Sequence, residues 1–225
     1  MKVSIVIPTI NEEKTIGGVI EKLRSIDNLE IIIVDTNSTD KTREIARAGG
    51  AIVIEEPRRG YGLAYKRGFD GASGEILVGI DGDGTYPAEA IKPLVELLIT
   101  NEVDFISGDR MTLRTPHNYT MLHFVGNSVL NFAIRTMFGY RIIDSQSGLW
   151  VFRSGIYKKM RHLSDGMSFS QDIKIEATRL GKFIEIPIKY GVRATKPKLR
   201  TWEDGFSNLF YVFVKRVRIS PLHQK

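Results

Sequence analysis

No cysteine occurs among the 225 residues, which excludes disulfides and thiolate metal sites and suits a reducing interior. No uncharged stretch approaches the roughly 20 residues that a membrane-spanning helix requires. The apolar run after Lys2 breaks at Pro8 and gives way to acidic residues, so no signal peptide is expected. A phosphate-cradling Walker loop is missing, and so is a Gly-x-Gly-x-x-Gly after the first apolar run, where Pro8-Thr9-Ile10-Asn11-Glu12 stands instead. Gly60-Tyr61-Gly62 comes later and is followed by Lys66 and Arg67 rather than by a third glycine. These absences speak against a conventional dinucleotide site and for a diphosphate handled by metal and cations. Nothing in the spacing of the four histidines suggests a zinc site. What is present is 42% hydrophobic, enough for one substantial core. The net charge of +6 and pI near 9.4 favour anionic partners such as nucleotides, lipid headgroups or nucleic acid, and charge alone does not choose among them. No nucleic-acid partner is assigned.

The N-terminal half alternates strand and helix signals. Strands are expected at Val3–Ile7, Glu30–Val34, Ala51–Ile54 and Ile76–Ile80, with helices over Glu12–Ser25, Asp40–Ala48 and Tyr61–Ala72. Pro87 suits the first turn of a further helix reaching Ile99. This rhythm predicts a single α/β domain with a mostly parallel sheet and helices on both faces.

The apolar run Ile76–Ile80 ends at Asp81-Gly82-Asp83. Side chains at i and i+2 of an extended chain share a face, so the two carboxylates converge if strand geometry persists. Gly82 between them leaves room for a ligand against the backbone. Converging carboxylates call for a cation, and a hard divalent ion, Mg²⁺ or Mn²⁺, suits oxygen ligands. A strand followed by an acidic turn is the plain alternative.

Ligands of such sheets lie beyond the carboxyl ends of the strands. Those ends carry Pro8-Thr9-Ile10-Asn11-Glu12, then Asp35-Thr36-Asn37-Ser38-Thr39-Asp40, then Asp81-Gly82-Asp83. Turn formation and helix capping account for these residues singly; their recurrence at three strand ends favours a nucleotide site.

These segments, together with Arg59-Gly60-Tyr61-Gly62 and the run Gly84-Thr85-Tyr86-Pro87, resemble the family 2 glycosyltransferases of the GT-A fold. Within that family the dolichyl-phosphate mannose and glucose synthases and their polyprenyl-phosphate relatives are the most similar. The resemblance runs from about residue 3 to 200. It implies a Rossmann-like domain over 1–200, with a nucleotide-sugar half over about 1–100 and an acceptor half over about 101–200; residues 201–225 read separately as a C-terminal basic amphipathic helix. It also implies that Asp35 contacts the base, Pro8 and Glu12 the nucleoside, and Asp81 and Asp83 the ribose, metal and diphosphate. Thr9, Asn11, Asn37, Gly62, Lys66 and Gly82 complete the donor side. Thr85 stands where mannose synthases often carry a glutamine, and Thr36 replaces a common second aspartate.

On the acceptor side, Asp104–Arg110 reads as a strand ending in charge, and Arg110, Arg114, His117 and His123 follow closely. Arginine forks match phosphate oxygens, while a solvated basic loop is the alternative. Tyr119–Gly139 is an apolar helix, either a core or dimer helix or one lying at a membrane interface beside a lipid acceptor. Asp144-Ser145-Gln146-Ser147-Gly148 is similar to the family's Asp-x-x-Ser-Gly segment, with Ser147 and Gly148 at the acceptor. Asp172 opens a helix where inverting members place an acidic residue; a helix cap is its alternative. Phe183–Tyr190 is a strand leading to Arg193 and Lys198, which by resemblance close over the diphosphate. The tail, Trp202–Arg218, is an amphipathic helix with a basic end at Lys215, Arg216 and Arg218.

The sequence therefore predicts an inverting hexosyltransferase using a UDP- or GDP-hexose, a divalent cation and a polyprenyl phosphate, peripheral on the cytoplasmic face of a membrane, with homo-oligomers left open. Asp83, Arg110, Asp144 and Asp172 are its catalytic candidates. A hydroxyl acceptor in solution and a non-catalytic nucleotide-sugar-binding module are the competing readings.

Overall fold

A seven-stranded sheet in the order β3-β2-β1-β4-β6-β5-β7 forms the centre of the computed structural model, which describes residues 1–115, 117, 119–192 and 201–219. Its N-terminal part runs β1 (Val3–Thr9), α1 (Ile16–Leu23), β2 (Leu29–Asp35), α2 (Thr42–Ala48), β3 (Ile52–Glu55), α3 (Tyr61–Gly71) and β4 (Ile76–Gly79). After a 3₁₀ turn at Ala88–Ala90 come α4 (Ile91–Thr100), β5 (Phe105–Asp109), α5 (Met121–Phe138), β6 (Trp150–Arg153), α6 (Ser154–Tyr157), α7 (Phe169–Leu180), β7 (Phe183–Pro187) and α8 (Thr201–Arg218). The pairs β1–β2, β1–β4, β2–β3 and β5–β7 are parallel; β6 lies antiparallel between β4 and β5.

Alternation along the strands divides the core into two layers. Ile5, Ile7, Ile31, Ile33, Ile76 and Val78 face one side, where Ile16, Ile20 and Leu23 of α1 and Ile91 and Leu98 of α4 cover them. Val6, Ile32, Val34 and Leu77 face the other, under Tyr65 and Phe69 of α3 and Phe169 and Ile173 of α7. Both faces are dry, which is why these strands read as continuous apolar runs. The second layer is aromatic: Tyr65 meets Trp150 edge-on at 4.8 Å and stacks on Phe169 at 5.7 Å. Such pairs add about 0.5–1.5 kcal/mol each beyond their area.

Helix α3 reaches the sheet this closely because position 68 is glycine. A Cβ there would stand 2.2 Å from a Val6 methyl group. Gly68→Ala is expected to destabilise by about 1–3 kcal/mol through overpacking, read as a lowered midpoint in chemical unfolding; an unchanged midpoint would contradict the packing described.

Several boundaries differ from the sequence expectation. The first helix starts at Ile16, not Glu12, because the amides of Glu12 and Glu13 bond to Thr42 Oγ1 and Asp40 Oδ2 and shape a turn instead. Pro87 precedes the 3₁₀ turn in an extended conformation (ψ 93°), and Pro93 occupies the first turn of α4. β7 stops at Pro187, short of Tyr190. Helix α8 packs along α5, with Val212 and Lys215 fully buried. Lys215 therefore does not belong to a solvated basic end.

Candidate active site

The order β3-β2-β1-β4 reverses direction between β1 and β4, and the carboxyl ends of these two strands flank the crevice where open α/β sheets take ligands. The loops leaving β1 and β2 are stitched into one unit. Asn11 and Asn37 adopt left-handed conformations (φ 50° and 54°), which asparagine tolerates. Asn11 Oδ1 accepts from the Thr39 amide at 2.8 Å, and Asn37 Nδ2 donates to Pro57 O at 2.9 Å. Asp35 is fully enclosed: it accepts from Thr9 Oγ1 at 2.9 Å and from the amide and hydroxyl of Ser38, and Arg43 lies 3.7 Å away. These bonds make Asp35 the knot that shapes this rim. Pro8, paired with Val34, is half-buried at the edge of the crevice, and Glu12 is buried beside Thr15.

The Asp81–Asp83 segment does not continue the strand. β4 ends at Gly79 and the chain turns through Gly82 and Asp83 to Gly84, whose φ of 73° suits glycine. The two carboxylates are consequently held by different partners. Asp81 Oδ1 accepts from Tyr61 Oη at 2.9 Å and Tyr65 Oη at 3.2 Å. Burial keeps both phenols protonated by raising them well above the usual tyrosine range. Asp83 Oδ1 accepts from the amide and hydroxyl of Thr85, so Thr85 tightens the turn on the metal candidate. Thr15 Oγ1 donates to Gly82 O at 2.8 Å and ties this turn to the β1 loop; a Cβ at Gly82 would approach Thr9 to 3.1 Å. Sequence reasoning missed Tyr61 and Tyr65, although their i, i+4 spacing at the start of α3 puts both on one helix face.

The acceptor segment abuts this pair. A Cβ on Gly148 would lie 2.6 Å from Tyr61 Oη and 3.1 Å from Asp81 Oδ2, so only glycine permits the approach. The Gly148 amide donates to Tyr86 Oη at 2.6 Å, and the Tyr86 ring meets Tyr190 edge-on at 5.0 Å. Arg110 lies between the rings of Tyr190 and Tyr119, at 5.3 and 5.4 Å, and grips Asp144 through Nε at 2.8 Å and Nη2 at 2.9 Å. Despite burial, that guanidinium holds the Asp144 carboxyl well below the ordinary carboxylate range. Ser147 is sealed inside the segment. Arg114 stacks on Phe124 at 4.1 Å, and the exposed His123 meets Tyr119 edge-on.

Other candidates lie elsewhere. Gly62 and Lys66 hold the 163–166 loop: the Gly62 amide bonds to Gly166 O, and Lys66 Nζ bonds to Leu163 O and pairs with Asp165. Asp172 is fully buried on α7, 2.7 Å from the buried Lys215 ammonium, and accepts from Tyr211 Oη and the Ser164 amide. Burial raises its carboxyl above the ordinary value even against Lys215. It forms part of an internal ion cluster. Arg193 and Lys198 lie outside the described residues.

No group of three or more His, Asp or Glu side chains able to hold a metal occurs among the described residues. The carboxylates of Asp81 and Asp83, one oriented by two phenols and the other by Thr85, are hard oxygen donors. They fit Mg²⁺ or Mn²⁺ as part of a set that substrate oxygens complete.

The family model for Glycosyl transferase family 2 matches residues 4–161. A low-salt glycan biosynthesis hexosyltransferase of Haloferax volcanii is 33% identical over 220 residues, covering 94% of this chain and 53% of that protein. The dolichyl-phosphate hexose transferase of the same organism is 31% identical over 205 residues, covering 90% of this chain and 88% of that protein. This chain thus spans 53% and 62% of two of the curated relatives it matches. Among solved structures, glucosyl-3-phosphoglycerate synthase from Mycobacterium tuberculosis, in complex with Mn²⁺, UDP-glucose and glycerol 3-phosphate, superposes with a TM-score of 0.75 at 23% identity, covering 97% of this chain and 81% of that one. A further mycobacterial protein gives 0.78 at 22% identity, covering 100% and 81%. These likenesses show a shared GT-A-like fold.

Proposed function

The chain belongs to glycosyl transferase family 2, and from that premise we propose that it moves a hexose from a nucleoside-diphosphate sugar to a polyprenyl phosphate at a membrane surface. The donor lies in the crevice between β1 and β4. Asp81 and Asp83 would hold a divalent cation, which would supply charge neutralisation for the departing nucleoside diphosphate. An acceptor phosphate oxygen attacks the anomeric carbon from the opposite face, the bond to the diphosphate breaks, and the configuration inverts.

The observation that carries the acceptor assignment is the state of the two carboxylates the sequence offers as bases. Asp144 is locked to Arg110 with its proton affinity depressed, and Asp172 is sealed against Lys215. A sugar hydroxyl needs a base to take its proton. A phosphate monoester is already an oxyanion at neutral pH. Arg110 spends two of its five donors on Asp144 and presents a cation between two phenol rings on the acceptor side.

The surface supports a lipid substrate. Met121, Val125, Val129 and Phe132 of α5 are exposed at helical spacing, as are Phe206, Phe210, Phe213 and Val217 of the adjoining α8. The exposed Arg135, Arg141, Arg216 and Arg218 lie on or next to these helices. No helix among the described residues is long and apolar enough to cross a membrane. Each phenylalanine buried in lipid contributes about 1.5–3 kcal/mol and each cation near an anionic surface about 1 kcal/mol. The protein is expected to sediment with anionic liposomes at low salt, to be partly released at high salt, and to lose most binding when Phe210 and Phe213 are both changed to serine. Absence of liposome binding, with turnover on a water-soluble hydroxyl acceptor, would sink the polyprenyl assignment.

A further inference from the structure

Beneath the acceptor segment lies a charged clamp that the transfer reaction leaves unexplained. Residues 143–145 belong to no strand or helix, yet their main chain is bonded almost entirely to side chains. The amides of Ile143 and Asp144 donate to the two carboxylate oxygens of Glu185 on β7. The Ile143 carbonyl accepts from Asn131 Nδ2, and the Ser145 amide donates to Asn131 Oδ1 at 3.1 Å. The Asp144 carbonyl accepts from Nζ of Lys174, which projects from α7 and is fully buried.

Asparagine at Lys174's place could in principle serve a single carbonyl without the cost of burying a charge, which amounts to several kcal/mol. The ammonium has a second function here. Asp144, Glu185 and Asp109 favour the charged form of this ammonium, and Arg110 opposes it. Lys174 therefore balances a local excess of carboxylates while bonding to the main chain that carries one of them. Burial lowers its ammonium to about 8, still mostly charged at neutral pH.

We infer that Lys174 is a positioning residue of the acceptor site, acting through the 143–145 main chain to hold Asp144, and through it Arg110, in the orientation that receives the acceptor anion. Glu185 is its counterpart on the opposite side of the same peptides. This rests on the assignment of Arg110 to the acceptor.

The test compares Lys174→Met, Lys174→Gln and Lys174→Arg with the unaltered protein by three measurements. These are nucleotide-diphosphate binding by calorimetry, the acceptor dependence of turnover with a polyprenyl phosphate, and amide hydrogen exchange. Lys174→Met is expected to lower kcat/KM for the acceptor by about 10- to 100-fold, as a displacement on the order of 1 Å at a reacting group does, with nucleotide affinity unchanged. Exchange should accelerate at the amides of Ile143, Asp144 and Ser145 and not in β1 or β4. Lys174→Gln, which keeps a donor but no charge, should fall between, and Lys174→Arg should recover part of the loss. If the Met variant does not fold, the Gln variant takes its place. Unchanged acceptor kinetics in a folded neutral variant, or equal loss of donor and acceptor use, would overturn the inference. Should the unaltered protein ignore polyprenyl phosphate, the functional reading falls on its own. The exchange arm still decides the clamp: retained protection at 143–145 refutes it and selective loss supports it.

Discussion

Asp81→Asn is expected to reduce turnover on the order of 10³-fold or more, since the change removes several kcal/mol of charge stabilisation at the diphosphate. Asparagine retains an oxygen to accept from Tyr61 and Tyr65, and Asp81 is only half-buried, so the fold should be unaffected. Thermal unfolding of the variant should match that of the unaltered chain while turnover collapses at every Mn²⁺ concentration. The corresponding change at Asp83 is less clean. Asp83 is 6% exposed and its carboxylate accepts both the amide and the hydroxyl of Thr85, so Asp83→Ala also loosens the turn by about 0.5–2 kcal/mol, as loss of a capping side chain does. Full turnover of either variant in the presence of a chelator would remove the metal from the mechanism.

Arg110→Ala should affect stability as much as chemistry. It strands the Asp144 carboxylate, which is completely buried, and removing one partner of such a pair costs about 3–5 kcal/mol. A double variant, Arg110→Ala with Asp144→Asn, should recover a good part of this loss in denaturant unfolding and none of the acceptor use. The pH dependence follows from the depressed Asp144 carboxyl. The pair's contribution is fully present above the ordinary carboxylate range and is lost as pH falls through the lower folded value. The single variant and the unaltered protein should therefore converge in stability only in strong acid. A single variant as stable as the unaltered chain at neutral pH would mean that the buried pair is not formed.

Much of the architecture was legible because the relevant forces are local or periodic. Apolar runs such as Ile31–Val34 and Ile76–Leu77-Val78 declare strands buried on both faces, and glycine and proline mark where they stop. The antiparallel β6 was not legible: Trp150-Val151-Phe152 reads as part of a polar-led motif, and strand direction depends on which neighbours the chain meets. Tyr61 and Tyr65 could have been read from their spacing, whereas Lys174 and Lys215 could not. A lysine in a helical stretch looks solvated until the helix is packed, and both prove fully buried against carboxylates from distant segments.

The sequence by itself determined the fold class, the family and the carboxyl-end placement of Asp35, Asp81 and Asp83, since alternation, punctuation and motif order are properties of neighbouring residues. Only the tertiary structure decided which partners those carboxylates meet. Asp35 turned inward to Thr9, Ser38 and Arg43, Asp172 to Lys215, and Asp144 to Arg110, while Asp81 lies at the crevice between two phenols and Gly148. The physical reason is that a carboxylate's role depends on its desolvation and on the cation or donor that meets it. In every one of these cases a partner comes from a different segment of the chain.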